Sequence, residues 1–147
     1  MPKNLVGESF INQRTILDWF LVVNLFRWTE YKPHRRGAQT VLSPLESEVM
    51  EIMWREKRAT ARTVYTRLKS KHSINRSTVN VVMGSLRKRG LLTSSVSKGR
   101  GGLKYIYKVK VRRGKFEREV VGKVLDSLFE SFGKTSKKLV REKLERK

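Results

Sequence analysis

A mainly α fold carrying one small β-hairpin is what this sequence predicts, on three observations. Apolar residues recur at helical spacing in three short runs between residues 44 and 90. The period then drops to two across residues 91–111, where "LLTSSV" and "LKYIYKVKV" flank the glycine-rich "SKGRGG". After residue 113 helical spacing returns, in a stretch with more apolar surface than a small domain can cover. A chain of 147 residues suits one modest domain with appendages.

Residues 1–40 form an N-terminal extension and linker. Its middle is apolar and aromatic: Phe10, Ile11, Ile16, Leu17, Trp19, Phe20, Val23 and Phe26. A helix apolar nearly all round has to be buried, either on the body of this chain or on a second copy. "ILDWFLVVNLFRW" is too short for a comfortable membrane span and contains Asp18, Asn24 and Arg27. It also lacks a small-residue cleavage pattern. No membrane association is expected, and the protein reads as cytoplasmic. "YKPHRRGAQT", with Pro33 and Gly37, has the composition of a turn and linker.

The compact domain is expected over residues 41–112. At "LSPLESEVMEIMW", Ser43 suits a helix cap, Pro44 the first helical position, and Glu46 completes a capping box. Leu45, Val49, Ile52 and Met53 make the buried stripe. A second helix follows, with Thr60 as cap and Ala61, Val64 and Leu68 facing inward. Asn75 is placed to cap a third helix, which ends at Gly90 and buries Val79, Val82, Met83 and Leu86. In the hairpin beyond it, Leu103, Tyr105, Tyr107, Val109 and Val111 alternate with Lys104, Ile106, Lys108 and Lys110. Three helices and a hairpin in this order describe a winged helix-turn-helix.

Charge says what such a domain would meet. The net charge is +21, and its distribution is uneven. Residues 57–116 hold eighteen Lys and Arg and no Asp or Glu, whereas residues 1–56 carry seven of each sign. Ordinary surfaces intersperse the signs, so a folded stretch without carboxylates points to a polyanionic partner, nucleic acid above all. The third helix turns Arg76, Ser77, Thr78, Asn80, Val81 and Gly84 outward, with Arg87 and Lys88 in its last turn. Small side chains let a backbone approach a major groove closely. There Asn80 can pair with adenine, and Val81 can meet a thymine methyl. Cations in the last helical turn also suit the negative end of the helix dipole. On the wing, Lys98 and Arg100 at the tip and Lys104 and Lys108 behind it are suited to the phosphate backbone, and Lys110, Arg112 and Arg113 extend the cationic surface.

Residues 113–147 form the C-terminal helical region. Phe116, Val120, Val124, Leu128 and Phe132 fall at four-residue intervals, thickened by Val121, Leu125 and Phe129. A homodimer is the natural way to cover such a helix, with Phe116, Val120, Val124, Leu125, Leu128, Phe129 and Phe132 as its contacts. "KTSKKLVREKLERK" reads as a further helix.

From Leu42 to about Leu144 the chain resembles the penicillinase-repressor family (BlaI/MecI/CopY). The matching pieces are "LSPLESEVMEIMW", the third helix ending "LRKRGLL", the wing closing with "YIYKV", and "VLDSLFESFGKTSKKLVREKL". The first and last are specific, because a generic winged helix has neither. The resemblance implies a homodimeric transcriptional repressor, joined through its C-terminal helices and bound to a palindromic operator in duplex DNA. It also implies base-reading positions at Ser77, Asn80, Val81 and Gly84, with Arg76 beside them. Small or apolar groups stand at most of these positions, where family members often carry Lys, Arg or Thr. The cysteine-rich motif of the copper-responsive members is absent, and the chain has no cysteine at all.

Catalysis finds no constellation in the sequence. His34 and His72 stand without carboxylate or thiol neighbours that suggest a site. "GKTS" at 133–136 lacks the upstream glycine of a phosphate loop, since Leu128 occupies that place. No cofactor and no metal are expected. The high charge leaves a second class open: an RNA- or ribosome-associated protein, or an architectural DNA-coating protein, on the same winged scaffold.

Overall fold

The computed structural model describes residues 26–147. Most of the apolar N-terminal extension, and the helix expected there, therefore lies outside the described residues. A 3-10 turn (Gly37–Thr40) leads into α1 (Pro44–Glu56), a short strand β1 (Arg58–Ala59), α2 (Ala61–Leu68) and α3 (Arg76–Lys88). The hairpin β2 (Leu92–Gly99) and β3 (Gly102–Val109) follows, and then α4 (Arg113–Glu145). The described part of the chain is a winged helix-turn-helix with a long C-terminal helix, mainly α with a small sheet.

Local chemistry sets the helix starts. The Ser43 hydroxyl accepts from the Glu46 amide at 3.1 Å, and the Glu46 carboxylate accepts from the Ser43 amide at 2.9 Å, so the capping box forms. Thr60 caps α2 by accepting from the Thr63 amide at 3.2 Å. Asn75 occupies the cap position of α3, but its side chain makes no capping bond. The first-turn amides of α3 consequently have no side-chain acceptor from the cap.

Three helices close over one core. Val49, Met50, Ile52 and Met53 of α1 meet Ala61, Val64 and Leu68 of α2 and Val79, Met83 and Leu86 of α3. Leu45 and Val82, expected in the interior, are only half-buried at its edge, while Met50 fills the interior fully. The sheet has three strands, in the antiparallel order β1-β3-β2. β1 was not expected, because two residues are too few to display a period. It pairs Arg58 with Lys108 and Ala59 with Tyr107, tying the base of the wing to the body. At the far end Gly99 pairs with Gly102, and Gly101 (φ 92) and Gly102 (φ 106) take the left-handed backbone that closes a two-residue turn.

Two segments expected at the margins belong to this core instead. Phe26, from the apolar extension expected to be buried, and Ala38, from the stretch read as a linker, are buried with the helices. Phe26 stacks on Phe116 with ring centroids 4.7 Å apart, and Trp54 lies 5.1 Å from Phe116 on another side. Phe116 and Val120, expected to face a second subunit, are instead buried in the chain's own core (3% and 7% exposed), Phe116 beneath Phe26 and Trp54. α4 continues to Glu145 but leaves helical geometry at Gly133 (φ 49, ψ −118), which separates the two expected C-terminal helices by a kink.

Every glutamate of α1 meets a basic side chain from a later element. Glu46 binds Arg89 at 2.8 Å, Glu48 binds His72 at 2.6 Å, and Glu56 binds Arg67 at 3.1 Å. Glu51 holds both arms of Arg113, whose guanidinium also lies 4.8 Å over Trp54. Arg89 is the most engaged of these cations. It additionally donates to the carbonyls of Arg27 at 2.8 Å and Val41 at 3.1 Å, joining the end of α3 to the segment before α1. Burial pushes the Glu46 carboxyl upward, but the Ser43 amide and the Arg89 guanidinium outweigh it and hold the pKa below the ordinary value.

A depressed folded-state pKa contributes stability above the ordinary carboxyl value of 4.5, and that contribution is lost as the pH falls through the folded-state value. Glu46→Gln should cost about 1–3 kcal/mol at pH 7, where it leaves Arg89 without its anion. Melting curves from pH 7 down to 3.5 should show the gap to wild type closing below about pH 4.5; a gap independent of pH would contradict this role.

Candidate nucleic-acid interface

α3 has two opposed faces. Val79, Met83 and Leu86 are fully buried, which fixes the helix against α1 and α2. Arg76, Ser77, Thr78, Asn80, Val81, Arg87 and Lys88 are exposed on the other side. Val81 is 72% exposed, the most exposed large apolar side chain among the described residues, so it has no packing duty. Gly84 is half-buried, yet a methyl group added there would meet nothing within 4 Å. The outward face is thus polar in its first turn, with the exposed Val81 and the side-chain-free Gly84 in its middle.

The wing projects beside it. Lys98, Arg100, Lys104 and Lys108 are all exposed, with Arg100 in the turn itself. Between the wing and α3 lies a cleft of about 280 Å³. Its walls are Thr60, Ala61 and Arg62 at the start of α2, Arg76 and Asn80 of α3, and Leu103, Lys104 and Tyr105 of β3. Sequence reasoning placed Arg76, Asn80 and Lys104 at the interface but missed Arg62, Leu103 and Tyr105. Arg62 carried no motif. Leu103 and Tyr105 alternate with lysines as core residues do, but they stand beyond the reach of the core and are 64% and 57% exposed.

The ion pairs divide the cations of residues 57–116 into two populations. Arg67, Arg89, Arg113 and Lys115 are paired with carboxylates of α1 or α4. Among the described residues, no carboxylate lies within ion-pair distance of the others, Arg62, Arg76, Arg87, Lys88, Lys98, Arg100, Lys104 and Lys108 included. Arg113, expected on the open cationic surface, is instead held by Glu51 and Trp54.

On α4 the apolar residues grade outward. Val124, Leu125 and Phe129 are half-buried, while Val121, Leu128, Phe132, Leu139 and Leu144 are exposed. Among the described residues no group of side chains is arranged to hold a metal ion, and no helix is long and apolar enough to cross a membrane.

The profile of the penicillinase repressor family matches residues 42–147. A comparison with curated proteins finds no significant match. Among solved structures, a PadR family transcription regulator from Clostridium difficile is similar with 13% identity and a TM-score of 0.40, over 59% of this chain and 96% of that one. A mutant of ZitR from Lactococcus lactis is similar with 13% identity and a TM-score of 0.40, over 91% of this chain and 94% of that one.

Val81→Glu sets a carboxylate in the middle of the open face without touching the core. Its thermal stability should stay within about 0.5 kcal/mol of wild type. Its affinity for duplex DNA, read by fluorescence anisotropy, should fall at least tenfold, or about 1.4 kcal/mol. Unchanged affinity would remove α3 from the interface.

Proposed function

The chain belongs to the penicillinase repressor family, and we propose that it represses transcription as a homodimer, each subunit laying α3 in a major groove of an operator. That it is a DNA-binding transcriptional regulator follows from the family; the dimer, the operator and the residue roles are our reading. One observation carries it: an exposed face with unpaired cations and no carboxylate extends from α3 across the cleft to the wing.

Each part of that face has a task the chemistry fits. Asn80 presents an amide able to pair bidentately with adenine, and Val81 offers an apolar contact to a thymine methyl. Ser77, Thr78 and Gly84 keep the surface low so that the helix backbone can enter the groove. Arg76, Arg87 and Lys88 flank it toward the phosphates, and the first-turn amides of α3 add donors there. Lys98, Arg100, Lys104 and Lys108 place the wing on the adjacent backbone. With so few base readers against so many phosphate contacts, affinity is dominated by counterion release. A dimer neutralising about six to ten phosphates loses roughly 10³–10⁵ in affinity between 50 and 200 mM salt.

The dimer is supported by the outward part of α4. Phe132 is 63% exposed, and Leu128, Leu139 and Leu144 extend the apolar surface along the helix and past the kink. A monomer gains nothing from these exposed groups, whereas a symmetric partner buries all of them twice. The contact surface therefore begins near Val124, two turns later than the four-residue repeat alone indicates.

Duplexes selected from a random pool should bind about a thousandfold or more tighter than unselected duplex or structured RNA at physiological salt. Asn80→Ala should shrink that ratio by about 1–3 kcal/mol. Equal binding to all three nucleic acids would replace operator recognition with indiscriminate coating. Sedimentation should show a micromolar dimer that Phe132→Asp converts to monomer; a wild-type monomer would contradict the assembly.

A further inference from the structure

The hairpin's outer half carries apolar groups that no core requires. β3 residues 103, 105 and 107 share one face; Tyr107 reaches the core, whereas Leu103 and Tyr105 do not. Val96 lies opposite Tyr105 in the hairpin and is 55% exposed. Of these, Leu103 and Tyr105 form, with Lys104, one wall of the 280 Å³ cleft, whose opposite side carries Arg62 and Arg76. No carboxylate lines the cleft. A site with two guanidinium groups facing an apolar wall suits a ligand that is anionic on one edge and apolar on another.

Nucleotide backbone has that character: a charged phosphate joined to a deoxyribose with apolar faces. The cleft also lies where backbone must pass, between the helix assigned to the groove and the wing assigned to its rim. We propose that this cleft seats one nucleotide of the strand bordering the groove, Arg62 and Arg76 binding its phosphate and Leu103 and Tyr105 packing on its sugar. Base identity does not enter, so the seat fixes where α3 lies along the duplex while Asn80 reads sequence. The proposal rests on the reading that α3 occupies the major groove.

The two halves of the seat separate experimentally in the full chain, using a duplex selected from a random pool by the wild-type protein. Arg62→Ala should weaken selected and unselected duplex by the same factor and reduce the slope of log affinity against log salt by about 0.9 for each subunit of the dimer, about 1.8 in all. Leu103→Asn should weaken both several-fold with the slope unchanged. Neutral methylphosphonate placed singly along the duplex should, at one position per half-site, weaken wild type more than Arg62→Ala does and cost that variant, which keeps Arg76, less than it costs wild type. Arg62 and Leu103 are exposed, so both variants should fold and melt as wild type does, which melting curves check. Wild-type protein that ignores duplex DNA overturns the groove reading and the seat together. Wild-type binding that both variants leave unchanged, or a phosphate scan in which every position costs Arg62→Ala as much as it costs wild type, overturns the seat alone.

Discussion

The four glutamates of α1 are the constraint around which the charge of this molecule is arranged. Each engages a basic side chain from a different place: the end of α3, the turn before it, the start of α4, and α2. As isolated surface pairs they contribute little, about 0–1 kcal/mol each. Their consequence is spatial. Between residues 41 and 116 the carboxylates all lie on α1, where each is taken by one basic side chain, and the cations of the α3 face and the wing have no carboxylate within ion-pair distance among the described residues.

Glu46 shows how local and long-range requirements meet in one side chain. It closes the capping box of α1, and it also receives the guanidinium that ends α3. The segment before α1 joins the same knot, since the Arg27 amide donates to the Arg89 carbonyl at 2.6 Å. The proposed recognition requires α3 to protrude at a fixed angle. Its fully buried residues supply the stabilising energy for that, while Arg89 ties its far end. The wing is fixed separately, through β1 at its base and the buried Tyr107. Helix and wing therefore sit on one rigid body with a cleft between them.

Much of this was legible in the sequence, for identifiable reasons. The capping box at Ser43, the buried spacing of Val79, Met83 and Leu86, and the switch to a two-residue period at Leu91 are local signals, and each corresponds to an element of the fold. What was not legible depends on tertiary neighbours. Phe116 belongs to the same repeat as Phe132, yet Phe26, ninety residues away, covers the first and not the second. Arg113 looks like any cation of the basic stretch until Glu51 and Trp54 meet it. Two-residue β1 is too short to announce itself, and the half-strand placement of Leu103 and Tyr105 outside the core cannot be read from alternation. Of the candidate site, the exposed face of α3 was readable, but its closure into a cleft by Arg62 was not.

The central claim is that duplex DNA meets the unpaired positive side formed by α3 and the wing, and not the side where α1 holds its ion pairs. Amide-resolved hydrogen exchange, with and without a saturating duplex, tests this directly. The account predicts added protection confined to residues 60–63, 75–84 and 97–106, with α1 amides unchanged. Protection centred on α1, with α3 and the hairpin tip unaffected, would contradict it.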